Sequence, residues 1–155
     1  MTEPQPSSRN CFVCGRENAL GLRARWRSDR ASGEARGELS IPEAFNGFPG
    51  VVHGGIVAAL LDEAMVRSAL LEGGFEDLMV TARMEVSYLR PVPTCVPVIA
   101  AGRMVKSGKR RATASAELRL ADGQVAARAQ ALLVRPPPEV AGSWAAERAH
   151  WRVED

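Results

Sequence analysis

At 155 residues, with 46% apolar residues and a net charge of +2, the sequence suits one soluble globular domain with a workable core. The charge argues neither for nor against nucleic acid, and three cysteines without a secretory signal in the polar opening Met1–Asn10 argue against a disulfide scaffold. The one long apolar run, from Ile56, is interrupted by Asp62 and Glu63, which excludes a membrane span and leaves the cytoplasm as the expected location.

In chain order, residues 1–10 read as a disordered tail. Cys11-Phe12-Val13-Cys14-Gly15 follows. A Cys-x-x-Cys can close a tight turn, supply half of a metal site or run redox chemistry, and the spacing alone does not choose. No metal is assigned at this stage. From Leu20 the pattern alternates, with Leu20, Leu22, Ala24 and Trp26 against Gly21, Arg23, Arg25 and Arg27, as in a half-buried strand. A turn at residues 29–33 leads to a second strand, in which Ala35, Gly37, Leu39 and Ile41 share a face until Pro42. Residues 42–52 read as a loop.

Residues 56–72 are apolar nearly all round, the pattern of a buried helix, and Gly73-Gly74 ends it. Four strands joined by short turns come next. The first, residues 79–90, puts Val80, Ala82, Met84, Val86 and Tyr88 on one face and Thr81, Arg83, Glu85 and Ser87 on the other. Residues 96–105 form another, and Lys106-Ser107-Gly108-Lys109 turns the chain back. Asp122-Gly123 joins the last two strands, which are rich in alanine and suit a sheet curling tightly onto a helix. One helix against one face of an antiparallel sheet of about six strands is an α+β layout. The domain is expected over 11–135. A C-terminal extension, 136–155, opens with Pro136-Pro137-Pro138 and carries Trp144 and Trp151; Ser143 is read as the cap of a short helix.

The chemistry concentrates at the helix. A carboxylate in an apolar run is costly unless paired or neutral, and such groups gather at functional sites. Glu63 has Arg67 four residues on, the spacing of a helix-surface ion pair. Asp62 has Ala58, Ala59, Met65 and Val66 around it. At the start of the helix, His53-Gly54-Gly55 offers unpaired N–H groups at the positive end of the dipole, where an oxyanion is stabilised. Asp62 lies eight residues beyond Gly54, about 12 Å along the axis. One reacting carbon cannot touch both, so a site using both must join two subunits.

The residues Asn46-Gly47, His53-Gly54-Gly55, Leu61-Asp62-Glu63-Ala64 and the strand from Thr81 to Pro91 resemble the hotdog-fold thioesterases, in the branch of the phenylacetyl-CoA thioesterase type. Cys11 to Gly15 with Gly21-Leu22 resembles the opening of one bacterial subgroup. The likeness spans about residues 11 to 134. It implies a sheet wrapped around a central helix, homodimers with shared sites, often dimers of dimers, and hydrolysis of acyl-CoA. By that pattern Gly54 or Gly55 polarises the thioester carbonyl and Asp62 activates water or attacks directly. Thr81 helps place the water, His53 fixes the loop or the carbonyl end, and Asn46 stands near the histidine, seven residues before it. CoA is then part of the substrate and no cofactor is expected. Arg90, Lys106, Lys109 and Arg110 are the candidates for its phosphates, and neither nucleic acid nor a membrane is an expected partner. The alternatives are a non-catalytic acyl-CoA or acyl-carrier binding module and a hotdog hydratase.

Overall fold

The computed structural model describes residues 1–153. Seven strands form one antiparallel sheet: β1 (Thr2–Pro4), β2 (Arg25–Asp29), β3 (Glu34–Ser40), β6 (Val80–Tyr88), β7 (Pro97–Lys106), β8 (Arg111–Leu120) and β9 (Val125–Val134), in the spatial order β1-β2-β3-β7-β8-β9-β6. Between β3 and β6 the chain makes a small hairpin, β4 (Asn46–Phe48) and β5 (Val51–Val52), and then the helix α1 (Gly54–Ser68), extended by a 3-10 turn over Ala69–Leu71. The loop expected at 42–52 is therefore partly paired. Pro49-Gly50 turns its hairpin, with Gly50 at φ 75°, the left-handed region that glycine enters without strain.

The helix lies against the sheet because its buried side chains face alanines. Val57, Leu60, Leu61, Ala64 and Met65 are buried, and so are Ala100, Ala112, Ala114, Ala116, Ala127, Ala129 and Ala131. Burying each large side chain of that helix face contributes about 1.5–3 kcal/mol. The approach is closest at Gly102 in β7, where a methyl group would sit 2.0 Å from the Ala64 carbonyl oxygen.

Three expectations need correction. Residues 1–10 are not a loose tail: Thr2–Pro4 pairs with β2, and Gln5 and Ser7 are buried. The polar composition that suggested disorder serves hydrogen bonding instead, since Gln5 Nε2 donates to Ser28 Oγ and to the Arg67 carbonyl. The strand expected from Leu20 begins only at Arg25, because Leu20 is 81% exposed and Arg23 takes a left-handed φ of 53°. Ser143 ends the short helix α2 (Pro138–Ser143) and stands at the N-cap position of the 3-10 helix over Trp144–His150, but its side chain makes no cap bond there; its hydroxyl donates backwards to the Val140 carbonyl. In the C-terminal extension, Trp151 packs edge-on against Phe75 and under the Arg67 guanidinium.

Candidate active site

Helix α1 starts where the sequence placed its histidine and glycines. His53 is the N-cap, and its Nδ1 accepts the Gly55 N–H at 2.9 Å. The His53 carbonyl takes the N–H groups of Ile56 and Val57. Of the two glycines proposed to hold a carbonyl, Gly55 therefore spends its N–H on the cap. The Gly54 N–H has no partner among the described residues, as befits the first residue of a helix. Sequence spacing could not separate these two glycines; only the orientation of the imidazole does.

The hairpin β4–β5 holds this helix start in place. His53 N–H donates to the Phe45 carbonyl, and Asn46 pairs with Val52. Asn46 is exposed beside His53, and a side chain at Gly47 would lie 3.2 Å from the His53 Cα. From β6, the Tyr88 hydroxyl donates to the Gly54 carbonyl at 2.8 Å. A cleft of about 290 Å³ runs past Gly54 between Val51, Val57, Tyr88 and Arg90.

Asp62 sits two turns further along α1, half-buried, and its Oδ1 accepts the Thr81 hydroxyl at 2.5 Å. Simple alternation along β6 turns Thr81 away from the helix, with Val80 and Ala82 inward. The strand breaks that alternation: Thr81 faces Leu133 and Arg83 faces Leu132, so Ala82 is an extra, unpaired residue. This bulge sends Thr81 inward together with Met84 and Val86 and leaves Ala82 exposed. Among the described residues Asp62 Oδ2 has no hydrogen-bond partner.

Glu63 occupies a different environment. Its Oε1 accepts Arg67 Nε at 2.9 Å, as the spacing of four implies, but the pair is interior and not on the helix surface, since Arg67 is 1% exposed. Arg67 also donates to the Pro6 carbonyl and lies over the Trp26 and Trp151 rings. Burial pushes the Glu63 carboxyl up to about 7, against the pull of Arg67. Beside it stand Cys11 and Cys14. The Cys14 thiol brings Cys11 down to about 7, while sharing with Cys11, together with burial, pushes Cys14 up to about 12.

The basic residues proposed for CoA do not form one patch within the chain. Arg90 shares the cleft with Gly54. The turn carrying Lys106, Lys109 and Arg110 lies beside the other end of α1, where Ser107 and Gly108 share a depression with Ser68, Ala69 and Leu71. Sequence reasoning also missed Glu34. It is 2% exposed and is held by Arg36, Arg103 and Arg119, an arrangement that joins three strands and is invisible in local pattern.

Comparison with known families decides the grouping. The family described as the thioesterase superfamily matches residues 49–127, just over half of the chain and the part that holds His53, Gly54, Asp62, Thr81 and Arg90. The chain belongs to the thioesterase superfamily. Among solved structures, it is similar to one described as a thioesterase superfamily protein, at 32% identity and a TM-score of 0.74 over 81% of this chain and 63% of that one. It is also similar in fold to a putative thioesterase, a phenylacetic acid degradation-related protein, of Ralstonia eutropha (24% identity, TM-score 0.65, 73% of this chain and 85% of that one). A Streptococcus mutans protein bound to acetyl CoA is a third neighbour (19% identity, TM-score 0.60, 66% and 80%). The sheet wrapped round one helix is thus the hotdog arrangement of this superfamily, with a seventh strand supplied by the N-terminal segment. No helix among the described residues of this thioesterase superfamily member is long and apolar enough to cross a membrane.

Proposed function

We propose that the protein is an acyl-CoA thioesterase that hydrolyses its substrate to a free acid and CoA. The observation that carries this reading is the pairing of a carboxylate fixed by a hydroxyl, Asp62 with Thr81, and an unpaired N–H at a helix start, Gly54, in a chain of the thioesterase superfamily. Gly54 N–H polarises the thioester carbonyl and holds the oxyanion; a single such donor is worth about 3–4 kcal/mol. Asp62, through its free Oδ2, takes a proton from water as the oxygen attacks the carbonyl carbon, or attacks that carbon itself. The tetrahedral intermediate collapses and the CoA thiolate leaves; by the second route the acyl group is then held on Asp62 as a mixed anhydride, which water hydrolyses to the free acid. His53 positions the helix start through its cap, with Asn46 alongside.

The reading requires a dimer. Gly54 and Asp62 of one chain are about 12 Å apart along α1, too far for one carbonyl group. Among the described residues, strand β6, nine residues long, has a neighbour only on its β9 side, and such an open edge suits pairing with a second copy. Thr81 and Asp62 lie beside that edge and Gly54 beneath its other end, so a second copy there brings Asp62 towards the partner's helix start. Solved neighbours from Streptococcus mutans and Streptococcus pneumoniae carry acetyl CoA and coenzyme A, which supports CoA as the carrier of the acyl group.

The deciding experiment is thiol release from short, long and aromatic acyl-CoAs by the wild type and Asp62→Asn. Turnover by the wild type that falls by about 100-fold or more in a folded mutant supports the reading. Tight acyl-CoA binding with no turnover on any substrate overturns it in favour of a binding module.

A further inference from the structure

We propose that Cys11, Cys14 and Glu63 form a binding site for a thiophilic divalent cation, zinc above all, which ties the N-terminal segment to α1. The two sulfurs and a carboxylate oxygen lie within 4.8 Å of one another, and Cys11 Sγ is 3.9 Å from Glu63 Oε2. Bonds of about 2.3 Å to sulfur and 2.0–2.2 Å to oxygen place neighbouring tetrahedral ligand atoms about 3.5–3.8 Å apart. Closing the cluster on an ion therefore needs side-chain rotations and no backbone rearrangement. Two soft sulfurs with one oxygen favour zinc over magnesium or calcium, which take all-oxygen sites.

The backbone is already wound for the task. The Val13 N–H points at Cys11 Sγ at 3.3 Å, and the Gly15 N–H closes the turn onto the Cys11 carbonyl at 2.9 Å. A side chain at Gly15 would meet that carbonyl oxygen at 2.4 Å, so only glycine permits the turn. Residues 22–24 then lock the loop, as Leu22 and Ala24 donate to the carbonyls of Phe12 and Val13.

Charge also balances. Two thiolates and a carboxylate around a dication leave one negative charge. The buried Arg67 guanidinium, bonded to the other Glu63 oxygen, offsets it and orients the ligating carboxylate. Three protein ligands leave a fourth position. The three residues line a cavity of about 560 Å³ together with Val66, Met79 and Trp144, in which a water or a small anion completes the tetrahedron. Sequence alone shows only the two cysteines, because the third ligand is 49 positions further on than Cys14 and is brought there by the fold.

The test uses the full chain, stripped with a chelator and titrated with cobalt(II) as the probe. The expected result is one equivalent per chain, with a thiolate-to-cobalt charge-transfer band and the intense visible bands of a tetrahedral ion, displaced by zinc. Cys11→Ser and Cys14→Ser should abolish the band, Cys95→Ser should leave it unchanged, and Glu63→Gln should weaken binding by about tenfold or more. If the cysteine variants do not fold, the wild type decides alone: absence of a charge-transfer band at saturating cobalt overturns the site. A band that survives in folded Cys11→Ser overturns it too. So does a chain isolated without metal whose Cys11 and Cys14 pair as a disulfide and, once reduced, bind no cobalt.

Discussion

Thr81 reaches Asp62 because Ala82 is an extra residue in its strand. The 2.5 Å hydrogen bond between the two crosses from β6 to α1, and a strand in regular register would aim the hydroxyl at the opposite face. Thr81→Val keeps the shape of the side chain and removes the bond. Since a hydrogen bond to a charged group is worth about 1.5–3 kcal/mol, kcat/KM should fall by about 10- to 100-fold with little change in melting temperature. Deleting Ala82 should remove the bulge while Thr81 stays opposite Leu133 and Met84 opposite Ala131, so Thr81 should still face inward and activity should survive far better than in Thr81→Val. Equal activity of Thr81→Val and the wild type would remove Thr81 from the mechanism.

The bulge also marks the boundary of what local pattern reveals. The buried helix, the alanine-rich strands and the ion pair of Glu63 with Arg67 were legible because each depends on spacing along one element. Which face Thr81 takes depends on how β6 registers against β9, about 50 residues away, and no period within β6 encodes it. The role of Gly54 against Gly55 turns on one imidazole rotamer. Residues 1–10 looked unstructured because their partners, Ser28, Arg67 and Arg152, are remote in sequence.

Arg90 and the turn at 106–110 separate two ways of meeting CoA. Only Arg90 borders the cleft at Gly54. Arg90→Ala should raise KM for acyl-CoA by about tenfold, the loss of one charge-assisted contact to phosphate, with kcat unchanged. The double variant Lys109→Ala/Arg110→Ala should leave KM within about twofold. Steady-state kinetics at two ionic strengths distinguishes the cases, since the Arg90 effect should shrink with added salt. A large KM effect confined to the turn would place the phosphates at the other end of α1.

Acid stability should report on Glu34. Burial raises its carboxyl, but Arg119, Arg103 and Arg36 outweigh burial and hold it at about 2 against an ordinary 4.5. A lowered carboxylate pKa contributes stability that is complete above 4.5 and is lost as pH falls towards 2. Melting curves from pH 7 down to pH 3 should therefore show a decline that is shallower in Glu34→Gln. At pH 7 the variant should already be weaker by about 1–3 kcal/mol, because three guanidiniums lose their common partner. Parallel pH profiles in the two proteins would mean that Glu34 does not set the acid limb.

The closest constraint on the fold is Gly102. An added methyl would meet the Ala64 carbonyl oxygen at 2.0 Å and the carbonyl carbon at 2.3 Å, and both belong to the backbone of α1. Neither can yield by a rotamer change, so the helix must lift from β7 or the strand must bow. Overpacking of this kind costs about 1–3 kcal/mol where side chains can move, and more where backbone must. Gly102→Ala should therefore lose about 3 kcal/mol or more, read from denaturant unfolding, or fail to accumulate as folded protein. Ala64 is two residues from Asp62 on the same helix, so any folded population should also lose activity as Asp62 draws away from Thr81. Gly74→Ala, where an added methyl meets nothing within 4 Å, is the control and should stay near wild type. A Gly102→Ala protein of wild-type stability and activity would mean that α1 has room to stand off the sheet, and that its position is not what aligns the carboxylate.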